Sequence, residues 1–74
     1  MDLKLIHSLI TDVWKLVKQY GDIDFQTETW AQLAERVTEI QERYKQEPEH
    51  IRRFVERMLI CVQELLMGEQ WRRK

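Results

Sequence analysis

The stretch IRRFVERMLICVQELLM, residues 51–67, decides the fold. Wound as an α-helix, with successive side chains about 100° apart, it gathers Ile51, Phe54, Val55, Met58, Leu59, Cys61, Val62, Leu65 and Leu66 into one arc of roughly half the circumference. Ile60 and Met67 fall outside that arc, one heptad apart, among Arg53, Glu56, Arg57 and Glu64. If the helix continues past Gly68, Trp71 extends the same line. A compact chain has little use for large apolar side chains that face away from its core, so Ile60, Met67 and Trp71 are the candidate partner-binding residues.

Working outward, the N-terminal segment from Asp2 to Tyr20 divides as cleanly. Leu3, Leu5, Ile6, Leu9, Ile10, Val13, Trp14, Leu16, Val17 and Tyr20 occupy one half of a helical wheel, with Lys4, Ser8, Thr11, Asp12, Lys15, Lys18 and Gln19 on the other. So wide an apolar face implies more than one neighbour. Gly21 offers a left-handed residue to end the helix, Asp22 and Asp24 suit a turn, and Ile23 and Phe25 are expected to fold back over the end of the core.

A second helix is expected to start near Thr27 or Thr29, the latter making a capping box with Gln32. Its apolar set of Trp30, Leu33, Ala34, Val37, Ile40 and Tyr44 forms one narrow stripe, and the spacing of Glu39 and Arg43 fits a solvated ion pair. Pro48 fits the first turn of a third helix, where its missing N–H would have no partner anyway. The expected architecture is an all-α, up-down-up three-helix bundle with helices over about 2–20, 28–46 and 48–68. An open arrangement completed by dimerisation is the rival. Residues 1–74 form a single domain, and 69–74 read as a short basic tail or a helix extension.

Composition narrows the functional classes. Seventy-four residues with 43% apolar and 34% charged side chains suit a helical globule and oppose a disordered chain. A core this small supplies about 3 to 5 kcal/mol, and a lone cysteine excludes an intrachain disulfide, which leaves packing and association as sources of stability. Twelve basic against thirteen acidic residues, a formal charge of −1, set up no global field toward nucleic acid or anionic lipid. No run approaches the roughly 20 apolar residues that cross a bilayer, and the first twenty residues lack the apolar core of a signal peptide. With one unpaired cysteine, the expected compartment is the cytoplasm.

Candidate chemistry fares poorly against simpler readings. Cys61 lies on the apolar arc between Phe54 and Leu65, where a packed core thiol is expected, and His50 is about 16 Å away along the helix. Glu47 and His50 have the spacing of a di-iron ligand pair but sit at a helix start without further inward carboxylates. Asp22 to Gln26 resembles the opening of a calcium loop, yet Thr27 and Leu33 occupy the positions that need glycine and glutamate. Ser8 and Asp12 have no histidine to link them, and His7 reads as a filler beside Trp14. No metal, cofactor or catalytic residue is therefore expected, and the chain reads as a non-enzyme.

Basic residues carry the alternative. Arg52, Arg53 and Arg57 in helix three, with Arg72, Arg73 and Lys74 at the C-terminal end, would serve a small nucleic-acid-binding regulatory protein. The near-neutral charge, the acids at positions 47, 49 and 56, and the turn without glycine oppose it. Trp71 with its cations is weak for membrane attachment.

The run Val13-Trp14-Lys15 to Tyr20, then Trp30-Ala31-Gln32-Leu33 to Tyr44-Lys45, then an apolar third helix, resembles small helical proteins of bacteria and their prophages or mobile elements. That group has no assigned activity. The resemblance implies an all-helical fold and a bacterial context, and it assigns no role to any residue. The leading expectation is a protein–protein interaction module that forms a homodimer or docks on another protein.

Overall fold

A computed structural model describes the backbone of residues 1–73 and the side chains through Arg72; Lys74 and the Arg73 side chain lie outside the described residues. The described residues form three helices: α1 Leu3–Tyr20, α2 Thr27–Arg43 and α3 Glu49–Arg73. Each packs against the other two. Asp2 starts α1, its Oδ1 accepting from the Lys4 and Leu5 amides at 3.0 and 3.2 Å and so satisfying two N–H groups that have no partner inside the helix. Gln26 caps α2. Thr29 sits three residues further in, and its hydroxyl accepts from the Gln26 amide at 3.2 Å, so the cap falls earlier than the expected Thr29–Gln32 box. Pro48 stands just ahead of α3, its carbonyl accepting from Ile51 and Arg52.

The direction of the helices follows from cross-chain contacts. Arg43, at the end of α2, reaches Asp12 of α1 at 2.9 Å, and the Tyr44 hydroxyl lies 3.2 Å from Ser8 Oγ and 3.3 Å from Asp12 Oδ2. At the other end, Gln70 of α3 meets the loop that follows α1: its Oε1 accepts from the Phe25 amide at 2.8 Å and its Nε2 donates to the Ile23 carbonyl at 2.7 Å. The bundle is therefore up-down-up, with α1 and α3 parallel. The expected Glu39–Arg43 pair does not form. Asp12, with a side chain only 12% exposed between α1 and α2, takes Arg43, and Glu39 pairs with Arg36 at 3.4 Å.

The core is narrow and hydrophobic, with two phenol hydroxyls in it, that of Tyr44 bonded to α1 and that of Tyr20 buried without a hydrogen-bond partner. Leu9, Leu16 and Tyr20 from α1, Leu33, Val37 and Ile40 from α2 with Tyr44 just after it, and Val55, Leu59, Val62 and Leu66 from α3 are its buried members. Phe25 packs against it, edge-on to Tyr20 on one side and to Trp30 on the other, with centroids 5.8 and 4.5 Å apart. Ile23 stays largely exposed, contrary to expectation, and contributes its carbonyl instead.

Both glycines behave differently from the sequence reading. Gly21 is right-handed, with φ −70° and ψ −30°, and its amide donates to the Val17 carbonyl at 2.8 Å. A Cβ there would come within 2.6 Å of that oxygen, so close backbone approach is the reason for glycine. Gly68 lies inside α3, and a Cβ on it would meet nothing within 4 Å. Gly68→Ala is thus expected to stabilise the fold by about 1 kcal/mol, since a mid-helix glycine only adds unfolded-chain entropy. Gly21→Ala is expected to destabilise it despite the helical torsions. Thermal melts of the two variants check the opposite signs; a shared sign would refute the assignment.

Candidate interaction surface

Ile60, Met67 and Trp71 line up along α3 at intervals of seven and four residues, 53%, 48% and 71% exposed. Their line lies about 130° around the helix from the buried set of Val55, Leu59, Val62 and Leu66, too far for α1 or α2 to cover. The structure therefore leaves outside the core all three residues that the periodicity singled out.

A second set was not foreseen. On α1, Leu3, Ile10 and Trp14 are exposed; on α3, Phe54, Cys61 and Leu65 are exposed too. Both triplets carry the same intervals of seven and four residues. Each lies about 110 to 120° from the buried stripe of its own helix, on the side where α1 and α3 meet. Trp14 and Leu65, the last members of the two triplets, line one groove together with Val17, Lys18, Leu66 and Glu69.

This corrects two expectations. Cys61 is an exposed thiol on the outer face of α3, beside Ile60, Arg57 and Glu64, because the edge of the apolar arc lies too far from the core stripe for a three-helix bundle to reach. His7, expected as a filler, is exposed as well. The signal for the groove was present in the arc widths. Two half-circumference faces and one narrow stripe cannot cover one another: α2 closes one side of the α1/α3 pair and leaves the other open.

The chain exposes 5803 Å², against about 4,900 Å² for a compact monomer of its mass. The excess of roughly 900 Å² reflects an elongated body, 41 × 18 × 16 Å.

The basic residues do not form one face. Arg52, Arg53, Arg57 and Arg72 are exposed, but helical spacing spreads them over most of the circumference of α3. Arg53 pairs with Glu49 at 2.9 Å and Arg72 with Glu69 at 3.7 Å, and Arg52 shares a shallow notch with Glu42, Lys45 and Glu56. Arg73 and Lys74 cannot be placed on this surface, since the Arg73 side chain and Lys74 lie outside the described residues.

Glu47 and His50 flank the start of α3, and among the described residues no three His, Cys, Asp or Glu side chains gather closely enough to hold a metal ion. Among the described residues no helix is long and apolar enough to cross a membrane. No family model, curated protein or solved structure matches the chain.

Proposed function

We propose that this chain is a non-enzymatic helical module for protein–protein contact, and that it pairs with a second copy of itself. The observation that carries this reading is the ordered exposure of large apolar side chains at helical spacing along α1 and α3. Scattered exposed leucines are ordinary, but contiguous bands beyond a few hundred Å² mark contact surfaces. A small domain with an apolar core of this size also gains stability from association, and two-fold pairing is its commonest form.

Light scattering across micromolar concentrations tests the reading. The expected mass rises from 9.1 kDa toward twice that value, and the melting temperature rises with concentration, as linkage requires of a dimer. A mass fixed at 9.1 kDa with a concentration-independent melt would overturn self-association. Titration with duplex DNA and RNA at low salt is expected to give flat curves. Saturable binding that weakens steeply with salt would instead favour Arg52, Arg53, Arg57, Arg72, Arg73 and Lys74 as a nucleic-acid surface.

A further inference from the structure

We propose that the outer face of α3 pairs with the same face of a second copy, the two helices running in opposite directions about a two-fold axis at the level of Val62. The inference rests on the self-association reading above and gives it a surface and a direction.

Spacing shows that the face suits a helix. Arg53, Arg57, Ile60, Glu64, Met67 and Trp71 recur along α3 at alternating intervals of four and three residues, and all six are exposed. They span about 27 Å of helix and turn away from α1 and α2, so a partner can approach without meeting either. Four-and-three spacing is the repeat by which one helix seats along another. A shallow hollow follows the first half of this seam, with Ile60 and Cys61 between Arg53, Arg57 and Glu64.

Charge shows which helix. From its N-terminal end the seam reads cation, cation, aliphatic, acid, aliphatic, aromatic. Turned end over end on itself, it sets Arg57 beside the partner's Met67 and the partner's Glu64, and Arg53 against the ring of the partner's Trp71, where a guanidinium stacks favourably. The two Ile60 side chains flank the axis, each along the aliphatic stem of a Glu64. Every contact then occurs twice, as a two-fold pairing requires. Among the described residues neither Arg57 nor Glu64 has an ion-pair partner in its own chain, and at seven residues apart, roughly 10 Å along the axis, they cannot reach each other. A parallel pairing would instead lay Arg57 on Arg57 and Glu64 on Glu64. An anionic occupant, lipid or nucleic acid, would meet Glu56 and Glu64 on the same face.

The experiment is sedimentation equilibrium of the wild-type chain, Arg57→Glu, Glu64→Arg, an equimolar mixture of those two variants, and Trp14→Glu, which lies on the other flank. All three sites are exposed, and circular dichroism confirms that each variant keeps its helices. Each charge reversal sets like charges together twice per dimer and is expected to weaken dimerisation at least about tenfold. The mixture is expected to return to within about threefold of wild type, because each chain then supplies the charges that the other lacks. Trp14→Glu is expected to stay near wild type.

Reversals that change nothing, as a parallel pairing would give, or a weakening that the mixture does not recover, overturn the α3 seam and leave self-association standing. A dimer that only Trp14→Glu disrupts does the same. A wild-type chain that never dimerises overturns both.

Discussion

Leu59→Ala is expected to leave this protein largely unfolded near 37 °C. Leu59 has no exposed surface and sits among buried residues of all three helices. Removing its branched end forfeits transfer free energy and opens a cavity, a combined loss of about 3 to 4 kcal/mol. A core of this size supplies about 3 to 5 kcal/mol, so the substitution removes most of the margin. Urea titrations of both chains at one fixed concentration provide the check, because dimerisation would otherwise enter the comparison. A loss below about 1 kcal/mol would mean that the site collapses around the smaller side chain and that the bundle is centred elsewhere.

Gln70→Leu should have the next largest effect, a loss of about 2 kcal/mol. The substitution keeps the bulk of the side chain and removes both of its polar ends. The Phe25 amide and the Ile23 carbonyl then lose their partners, at 2.8 and 2.7 Å in the intact protein. An unmade bond to a buried backbone group costs about 1 to 3 kcal/mol, and water at the exposed Ile23 carbonyl recovers part of it. Hydrogen exchange distinguishes this mechanism from a general loosening: the Phe25 amide should exchange faster by more than the global destabilisation explains. Protection that is unchanged at Phe25 would refute the clamp.

Much of the fold was legible because two of its helices announce themselves by period alone. The wheel of residues 2–20 and the arc of residues 51–67 fixed α1 and α3, and the narrow stripe of α2 fixed its single buried side. The end of α3 was not legible. Gly68 is a plausible stop in isolation, and its partners within the helix argue nothing either way. What carries α3 to Arg73 is Gln70, whose partners lie 45 and 47 residues earlier in the chain.

The candidate surface was half legible. Ile60, Met67 and Trp71 could be found because they break the pattern of their own helix. Leu3, Ile10, Trp14, Phe54, Cys61 and Leu65 obey it, and only the combined width of the two arcs signals that some of them stay exposed. Periodicity says which side chains share a face; the number of neighbouring helices decides how much of that face is covered. Arg43 illustrates the same limit among the charges, since a local partner at Glu39 was visible in the sequence and the half-hidden Asp12 on another helix was not.

The side chains that α3 buries in the core are all aliphatic, which leaves that helix permissive about axial position. If α3 slipped by one turn, about 5.4 Å, its aliphatic residues would still find aliphatic surroundings. The amide of Gln70 would not find its two backbone partners. A single carboxamide at the tip of the longest helix thus chooses one sliding position among several of similar greasiness, much as a lone buried asparagine does in a coiled coil. Uniqueness in this bundle comes from its end, and cohesion from its middle.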